Sequence, residues 1–250
     1  MTFDKQIDSL PADWRILVAE DNPLNRRIAI SLVERLGCRA DAAVDGREAV
    51  RLHDAMPYDL VLMDCRMPHM DGYQAAMHIR SRETSARRTP IVGLTASSED
   101  DARLRCEAAG MDDFIAKPLH LPRLREVFDR WLGGMRVNAA TAGGGDELDA
   151  MHAVFGADFA ELAMLYRRDS PPRIRLMKEA AAVGDHLRLA ETAHVFCGSC
   201  ISIGATRLSA LCRRLEQRAR NGGADDIGEL IGAIENEYDR ICVRLQTFEV

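Results

Sequence analysis

The feature that most constrains the fold is a regular alternation of short apolar segments and helical segments in the first half of the chain. The run Asp59–Met63 (DLVLM) is almost entirely apolar, which is typical of a strand covered on both faces of a parallel sheet. Helical segments follow such runs and stop at breakers, for example Gly37 and Pro57. Five strands alternating with five helices predict a doubly wound α/β domain with a five-stranded parallel sheet.

The chain changes character after residue 132. The segment Ala139–Gly145 (AATAGGG) consists of small residues, which is typical of a flexible linker. No strand pattern follows, and helical periodicity recurs in Asp158–Asp169, Pro171–Val183, His186–Ile203, Ala205–Arg220 and Ala224–Phe248. Short connections between such helices, including a break at Ser170-Pro171, predict an all-α antiparallel bundle. We therefore expect domains at 14–132 and 147–250, joined by a linker at 133–146.

Composition and charge exclude several classes of protein. The 250 residues carry a net charge of -6, which disfavours nucleic-acid binding because that affinity depends on neutralising phosphates. No apolar run approaches the length of a membrane span, and Met1–Leu10 lacks the pattern of a secretory signal. The seven scattered cysteines suggest reduced thiols. We expect a cytoplasmic protein with no membrane segment in this chain and no nucleic-acid partner.

Chemically active side chains follow the predicted strands. They are Glu20 and Asp21 after the first strand, Asp64 after the third, Thr95 at the end of the fourth and Lys117 after the fifth. The carboxyl ends of parallel strands meet at one edge of the sheet, so these groups should converge. Clustered carboxylates suit Mg²⁺, and a carboxylate nucleophile beside cations and a hydroxyl suits phosphoryl transfer.

Residues 14–132 resemble a response-regulator receiver domain, a flavodoxin-like fold. The resemblance lies in VAEDNPLNR, LVLMDCRMPHMDG, GLTAS and DDFIAKPL. It implies that Asp64 is phosphorylated and that Thr95 and Phe114 form a switch pair. It also implies Mg²⁺ held by Glu20, Asp21, Asp64 and the backbone carbonyl of Arg66, and a cis peptide between Lys117 and Pro118.

A histidine in the second half stands apart from the apolar stripe of its helix. The stripe consists of Leu189, Ala193, Phe196, Cys200 and Ile203. His194 lies roughly 140° from the centre of this stripe and should face solvent or a partner. Gly198, one turn further on, would allow another protein to approach closely.

Residues 147–249 resemble a histidine-containing phosphotransfer (HPt) domain, through the motif AH-x-F-x-GS-x-x-x-x-GA from Ala193 to Ala205. The resemblance implies that His194 carries phosphate, with Cys197 and Gly198 on the partner-facing surface. The family usually has lysine where this chain has Cys197. The cationic candidates to replace that lysine are Arg188, Arg213 and Arg214, and the sequence does not distinguish among them.

The two resemblances together imply a phosphorelay protein of the bacterial cytoplasm, as found at the C-terminal end of hybrid sensor histidine kinases. Its expected partners are a sensor histidine kinase and other receiver domains. Because no ATP-binding signature is found, we expect a phosphotransfer signalling protein rather than an enzyme.

Three alternatives remain. The first is a docking module switched at Asp64, whose HPt-like bundle is inactive in phosphotransfer. The second is an aspartyl-phosphate phosphatase, which Arg66 disfavours because such enzymes usually have a second aspartate there. The third is a redox site at Cys197 and Cys200, which their position inside a helix disfavours, since reactive pairs lie at helix N-termini.

Overall fold

The computed structural model describes residues 14–83, 88–95, 99–132, 147–222 and 226–248, without the side chains of 99–102 and 147. The chain forms two compact units, residues 1–140 and 141–250. The predicted linker at 133–146 lies outside the described residues, and the exact domain limits stay a prediction. Within the described ranges, no helix is long and apolar enough to cross a membrane.

The first unit is the predicted α/β domain. Its elements are β1 (Arg15–Ala19), α1 (Pro23–Arg35), β2 (Arg39–Ala43), α2 (Gly46–Ala55), β3 (Leu60–Asp64), α3 (Gly72–Arg82), β4 (Ile91–Thr95), α4 (Glu99–Ala108), β5 (Asp113–Ala116) and α5 (Leu121–Leu132). All strand pairs are parallel, in the order β2-β1-β3-β4-β5. Every residue of β3 and β4 is buried, which confirms the doubly wound five-stranded sheet.

Helix caps fix the point at which the chain turns back from each strand. The Asn22 side chain accepts hydrogen bonds from two backbone N–H groups at the start of α1, where Pro23 occupies the first turn. Asp45 caps α2, and Asp71 with Gln74 forms a capping box on α3. The first two caps start α1 and α2 within four residues of the ends of β1 and β2, whereas Asp71 starts α3 after the longer loop of residues 65–71.

Gly72 allows α3 to start directly against the end of β3. A Cβ atom at this position would lie 2.1 Å from the carbonyl oxygen of Asp64 and 2.9 Å from Cγ of Met63. Such distances are far inside van der Waals contact, so only glycine fits without a shift of the backbone. The first turn of α3 therefore determines the position of the Asp64 backbone.

The second unit is the predicted helical bundle. Its helices are α6 (Glu147–Phe155), α7 (Asp158–Ala182), α8 (His186–Ser202), α9 (Thr206–Arg220) and α10 (Ile227–Gln246). Helix α6 was not predicted from the sequence. The predicted apolar stripe of α8 is confirmed, because Leu189, Ala193, Phe196, Cys200 and Ile203 are fully buried.

The predicted helix break at Ser170-Pro171 is wrong, because α7 continues through Pro171 and Pro172. A proline inside a helix leaves the carbonyl four residues earlier without its N–H donor. For Pro171 this carbonyl belongs to Arg167, and the Tyr238 hydroxyl of α10 donates a hydrogen bond to it at 3.2 Å. A donor from another helix thus replaces the missing backbone hydrogen bond.

Helices α8 and α9 are joined by a tight turn. Gly204 has a positive φ of 84°, which favours glycine. The N–H of Gly204 donates to the Ile201 carbonyl and that of Ala205 donates to the Cys200 carbonyl, which is the Schellman pattern of a helix end. This turn sets which residues of α9 lie opposite which residues of α8.

We predict that Gly72→Ala destabilises the first unit by about 1–3 kcal/mol, because the added methyl group has no space. Both tryptophans, Trp14 and Trp131, belong to this unit, so their fluorescence in a denaturant titration reports its unfolding. Gly232→Ala in α10, where a Cβ meets nothing within 4 Å, is the matched control. It should stabilise the bundle by up to about 1 kcal/mol, followed by circular dichroism. A Gly72→Ala protein as stable as the wild type would contradict the close contact.

We further predict that Tyr238→Phe lowers the stability of the bundle by about 1 kcal/mol, because the Arg167 carbonyl loses its donor. In a Pro171→Ala background the backbone N–H is restored, so the same substitution should cost much less. The measurement is a double-mutant cycle by chemical denaturation. Equal losses in both backgrounds would mean that the hydroxyl does not replace the proline's missing hydrogen bond.

Candidate functional site

Three acidic side chains meet at the carboxyl edge of the sheet. Glu20 directly follows β1, Asp21 is the next residue, and Asp64 is the last residue of β3. One carboxylate oxygen from each lies within 4.8 Å of the other two. Glu20 and Asp64 are buried, whereas Asp21 is half-buried. The predicted convergence of these residues is confirmed, and their spacing would allow a shared divalent cation.

Lys117 reaches this cluster from the end of β5. Its Nζ lies 2.6 Å from Oε2 of Glu20 and 2.9 Å from Oδ2 of Asp64. Its backbone N–H donates to the Thr95 carbonyl at 2.7 Å, and the expected cis peptide to Pro118 is present. The ammonium group thus bridges carboxylates from two different strands.

The electrostatics of the cluster follow from burial and mutual repulsion. Burial raises the pKa of Glu20, Lys117 partly opposes this shift, and the charge of Asp64 adds to it. Burial and the charge of Asp64 also raise the pKa of Asp21. Burial alone would lower the pKa of Lys117, but Asp64 and Glu20 outweigh it and raise this pKa. These shifts favour the protonated form of Lys117, and they make Glu20 and Asp21 bind protons more tightly than ordinary carboxyl groups.

Asn25 and Arg26 in the first turn of α1 also shape the site, although the sequence analysis did not identify them. Asn25 Nδ2 donates to Oε1 of Glu20 at 3.2 Å. Arg26 Nη1 donates to the backbone carbonyls of Glu20 at 2.7 Å and Asp21 at 3.1 Å. Asn25 and Arg26 could have been found from their position about one turn after the cap residue Asn22. Side chains there point back toward the N-terminus of the helix, where Glu20 and Asp21 lie.

The remaining predicted receiver residues lie after β3, at the end of β4 and within β5. The backbone N–H of Arg66 donates to Oδ1 of Asp64 at 3.1 Å. Thr95 is buried at the end of β4. Phe114 pairs with Gly93, two residues before Thr95 on the neighbouring strand, so both lie on one face of the sheet. The Arg66 carbonyl as a metal ligand and the switch role of Thr95 and Phe114 stay predictions.

His194, on α8, is the candidate site of the second unit. Its side chain is 22% exposed, and its Nδ1 lies 3.1 Å from Oε2 of Glu216 on α9. The carboxylate also pairs with Arg220 at 2.9 Å. Because a carboxylate accepts hydrogen bonds, we assign the proton to Nδ1, which leaves the lone pair on Nε2. The imidazole is thus oriented with a nucleophilic nitrogen directed away from Glu216.

The expectation that Cys197 lies on an exposed, partner-facing surface is wrong, because this residue is buried. Its neighbour Gly198 is half-buried. Only 5% of Cys197 is exposed, and its Sγ contacts the Ser209 carbonyl at 3.5 Å. Helix α9 covers this side of α8, which the periodicity of α8 alone could not show. Burial raises the pKa of Cys197 to about 11, and Cys200 is fully buried against Tyr166. Both observations disfavour the redox alternative.

Two protein families match the chain. Residues 16–129 match the response regulator receiver domain, and residues 161–243 match the Hpt domain. The receiver domain of the sensor histidine kinase PA1611 from Pseudomonas aeruginosa, solved with a magnesium ion in its active site cleft, is 41% identical. That alignment covers 49% of this chain and 99% of that domain, with a TM-score of 0.45.

Relatives with longer alignments are histidine kinases. Sensor histidine kinase GacS from Pseudomonas protegens is 30% identical over 89% of this chain and 27% of the kinase. The kinase BarA from Escherichia coli is 29% identical over 84% of this chain and 24% of the kinase. The chain thus spans about a quarter of the length of these relatives. The two matches establish that residues 16–129 of the chain belong to the response regulator receiver family and that residues 161–243 belong to the Hpt family.

Proposed function

We propose that Asp64 accepts a phosphoryl group and that His194 carries one, in exchange with a sensor histidine kinase and partner receiver domains of the bacterial cytoplasm. The observation that carries the proposal is the contact of Asp64 with Lys117 beside two further carboxylates. A buried carboxylate held between a fixed ammonium and a cation-binding cluster suits a phosphoryl acceptor.

The acidic cluster fits Mg²⁺. Three carboxylates and one ammonium leave an excess of negative charge at a buried edge, and hard oxygen ligands suit this ion. Glu20, Asp21, Asp64 and the Arg66 carbonyl would hold it, and the bound ion would neutralise phosphoryl oxygens. Asp64 supplies the attacking oxygen. Lys117 balances the charge that the phosphoryl oxygens bring, and the Thr95 hydroxyl offers a hydrogen bond to one of them.

His194 completes the transfer as a nitrogen nucleophile. The lone pair of Nε2 attacks phosphorus, so a P–N bond forms while the acyl P–O bond of the phosphoaspartate breaks. The aspartate carboxylate keeps the electron pair of the broken bond. The Nδ1 proton stays hydrogen-bonded to Glu216, whose negative charge stabilises the positive charge that develops on the ring. The reverse reaction uses the same contacts.

We predict two chemically distinct labels on the full chain. A labelled small acyl phosphate with Mg²⁺ should give a base-labile label that Asp64→Asn abolishes. A phosphorylated receiver domain should give an acid-labile, base-stable label that His194→Gln abolishes. The measurement is retention of label after acid and base treatment.

The controls are Asp71→Asn, which keeps the cap of α3, and His186→Gln outside the proposed site. Neither substitution should change either label. Label at Asp64 without any at His194 would support the alternative of a switched docking module with an inactive bundle. Absence of both labels would contradict the relay.

We also predict that Mg²⁺ binds more weakly as the pH is lowered from about 8 to about 6, because protons compete for carboxylates with a raised pKa. Glu20 and Asp21 have raised pKa values, so they begin to take up protons at a higher pH than ordinary acids. Isothermal titration of the full chain at several pH values measures this loss. Asp21→Asn should weaken binding at every pH, whereas Asp71→Asn should not. A pH-independent affinity would contradict the competition.

A further inference from the structure

Helix α9 presents two functional groups to the exposed side of α8. Glu216 lies opposite His194, with 3.1 Å between Oε2 and Nδ1. Three residues earlier on α9 is Arg213, and Cys197 Sγ contacts the Ser209 carbonyl of the same helix at 3.5 Å. Because α8 and α9 run antiparallel, the His194–Glu216 contact places Arg213 opposite Cys197. Cys197 follows His194 by three residues on α8, which is about one helical turn. The antiparallel register therefore places the Arg213 guanidinium one turn along from the imidazole.

The positive charge of Arg213 is not neutralised by Cys197, the residue that lies opposite it. Cys197 is buried and its thiol pKa is raised, so at neutral pH it is a neutral, weak hydrogen-bond acceptor. Arg220 differs, because it pairs with the Glu216 carboxylate at 2.9 Å. Arg213 is also exposed. A solvent-facing guanidinium beside a weak acceptor can change partner at little cost when a stronger acceptor arrives.

We propose that Arg213 binds the phosphoryl oxygens carried by His194, an inference that rests on the proposed phosphorylation of this histidine. A phosphoryl group on Nε2 would bring two negative charges to within about one helical turn of the guanidinium of Arg213, which lies opposite a neutral thiol. Arginine binds phosphate oxygens through two parallel, charge-assisted hydrogen bonds. Helix α8 carries no positive charge at Cys197, and Arg213 supplies one from α9.

The chemistry assigns this residue a role in transfer. As the P–N bond forms and the donor's P–O bond breaks, the nonbridging oxygens stay negatively charged. A cation beside them stabilises both the transition state and the phosphohistidine. Glu216 and Arg213 then have separate tasks, since Glu216 orients the imidazole and Arg213 binds the group that the imidazole receives.

The neighbouring Arg214 provides a matched control. It is also exposed, but it lies about 100° further round α9 and so projects from a different side of the helix. We would compare Arg213→Gln, Arg213→Lys and Arg214→Gln in the full chain, each with Asp64→Asn so that only His194 is labelled. The donors are phosphoramidate, which reacts with imidazole directly, and a phosphorylated receiver domain.

Arg213→Gln should slow labelling of His194 by about 10-fold or more, the size expected for losing a charge-assisted hydrogen bond. Arg213→Lys should recover much of the rate, and Arg214→Gln should match the parent. Added salt should slow the parent but hardly affect Arg213→Gln, because exposed charges are screened. Thermal unfolding of each variant shows whether the bundle is intact, and Arg213→Lys separates loss of charge from loss of structure.

The outcomes distinguish the proposed role of Arg213 from the proposed phosphorylation of His194. If the parent is labelled at His194 and Arg213→Gln equals Arg214→Gln in rate and salt dependence, Arg213 does not bind the phosphoryl group, while the relay stands. If neither donor labels the parent at His194, phosphorylation of this histidine is overturned and the inference falls with it.

Discussion

The acidic cluster of the first unit depends on the ion pairs that the ammonium group of Lys117 forms with Glu20 and Asp64. Glu20 and Asp64 are buried at neighbouring strand ends, where their charges would repel one another without a cation between them. Lys117 contacts both, and the backbone bond from its N–H to Thr95 fixes where its side chain starts. The order and register of the strands therefore decide whether this arrangement exists at all.

The second unit holds its candidate residue in a different way. His194, the phosphoryl acceptor that we propose for this unit, lies half-buried on α8, and its Nδ1 contacts the Glu216 carboxylate. The tight turn at Gly204 fixes the register of α8 and α9, so one short connection determines which side chains face His194. The buried carboxylate of Asp64 thus contrasts with the half-buried imidazole of His194.

Much of this arrangement could be predicted from the sequence, because parallel strands bring their carboxyl ends together whatever the loops do. Glu20, Asp64 and Lys117 followed from that rule alone. The continuous α7 could not be predicted, since the donor that satisfies Arg167 lies 71 residues away in the sequence. The burial of Cys197 was also missed, because the periodicity of one helix does not show where a second helix crosses it.

The hydroxyl of Tyr238 has a consequence for the order in which the bundle is made. Residues of α7 leave the ribosome well before α10, so during that interval the Arg167 carbonyl lacks the hydrogen bond from Tyr238. The donor that replaces the hydrogen bond lost at Pro171 therefore reaches α7 only after α10 has emerged and docked. We therefore expect the bundle to complete its folding only after α10 is synthesised, whereas the receiver domain can fold earlier as a separate unit.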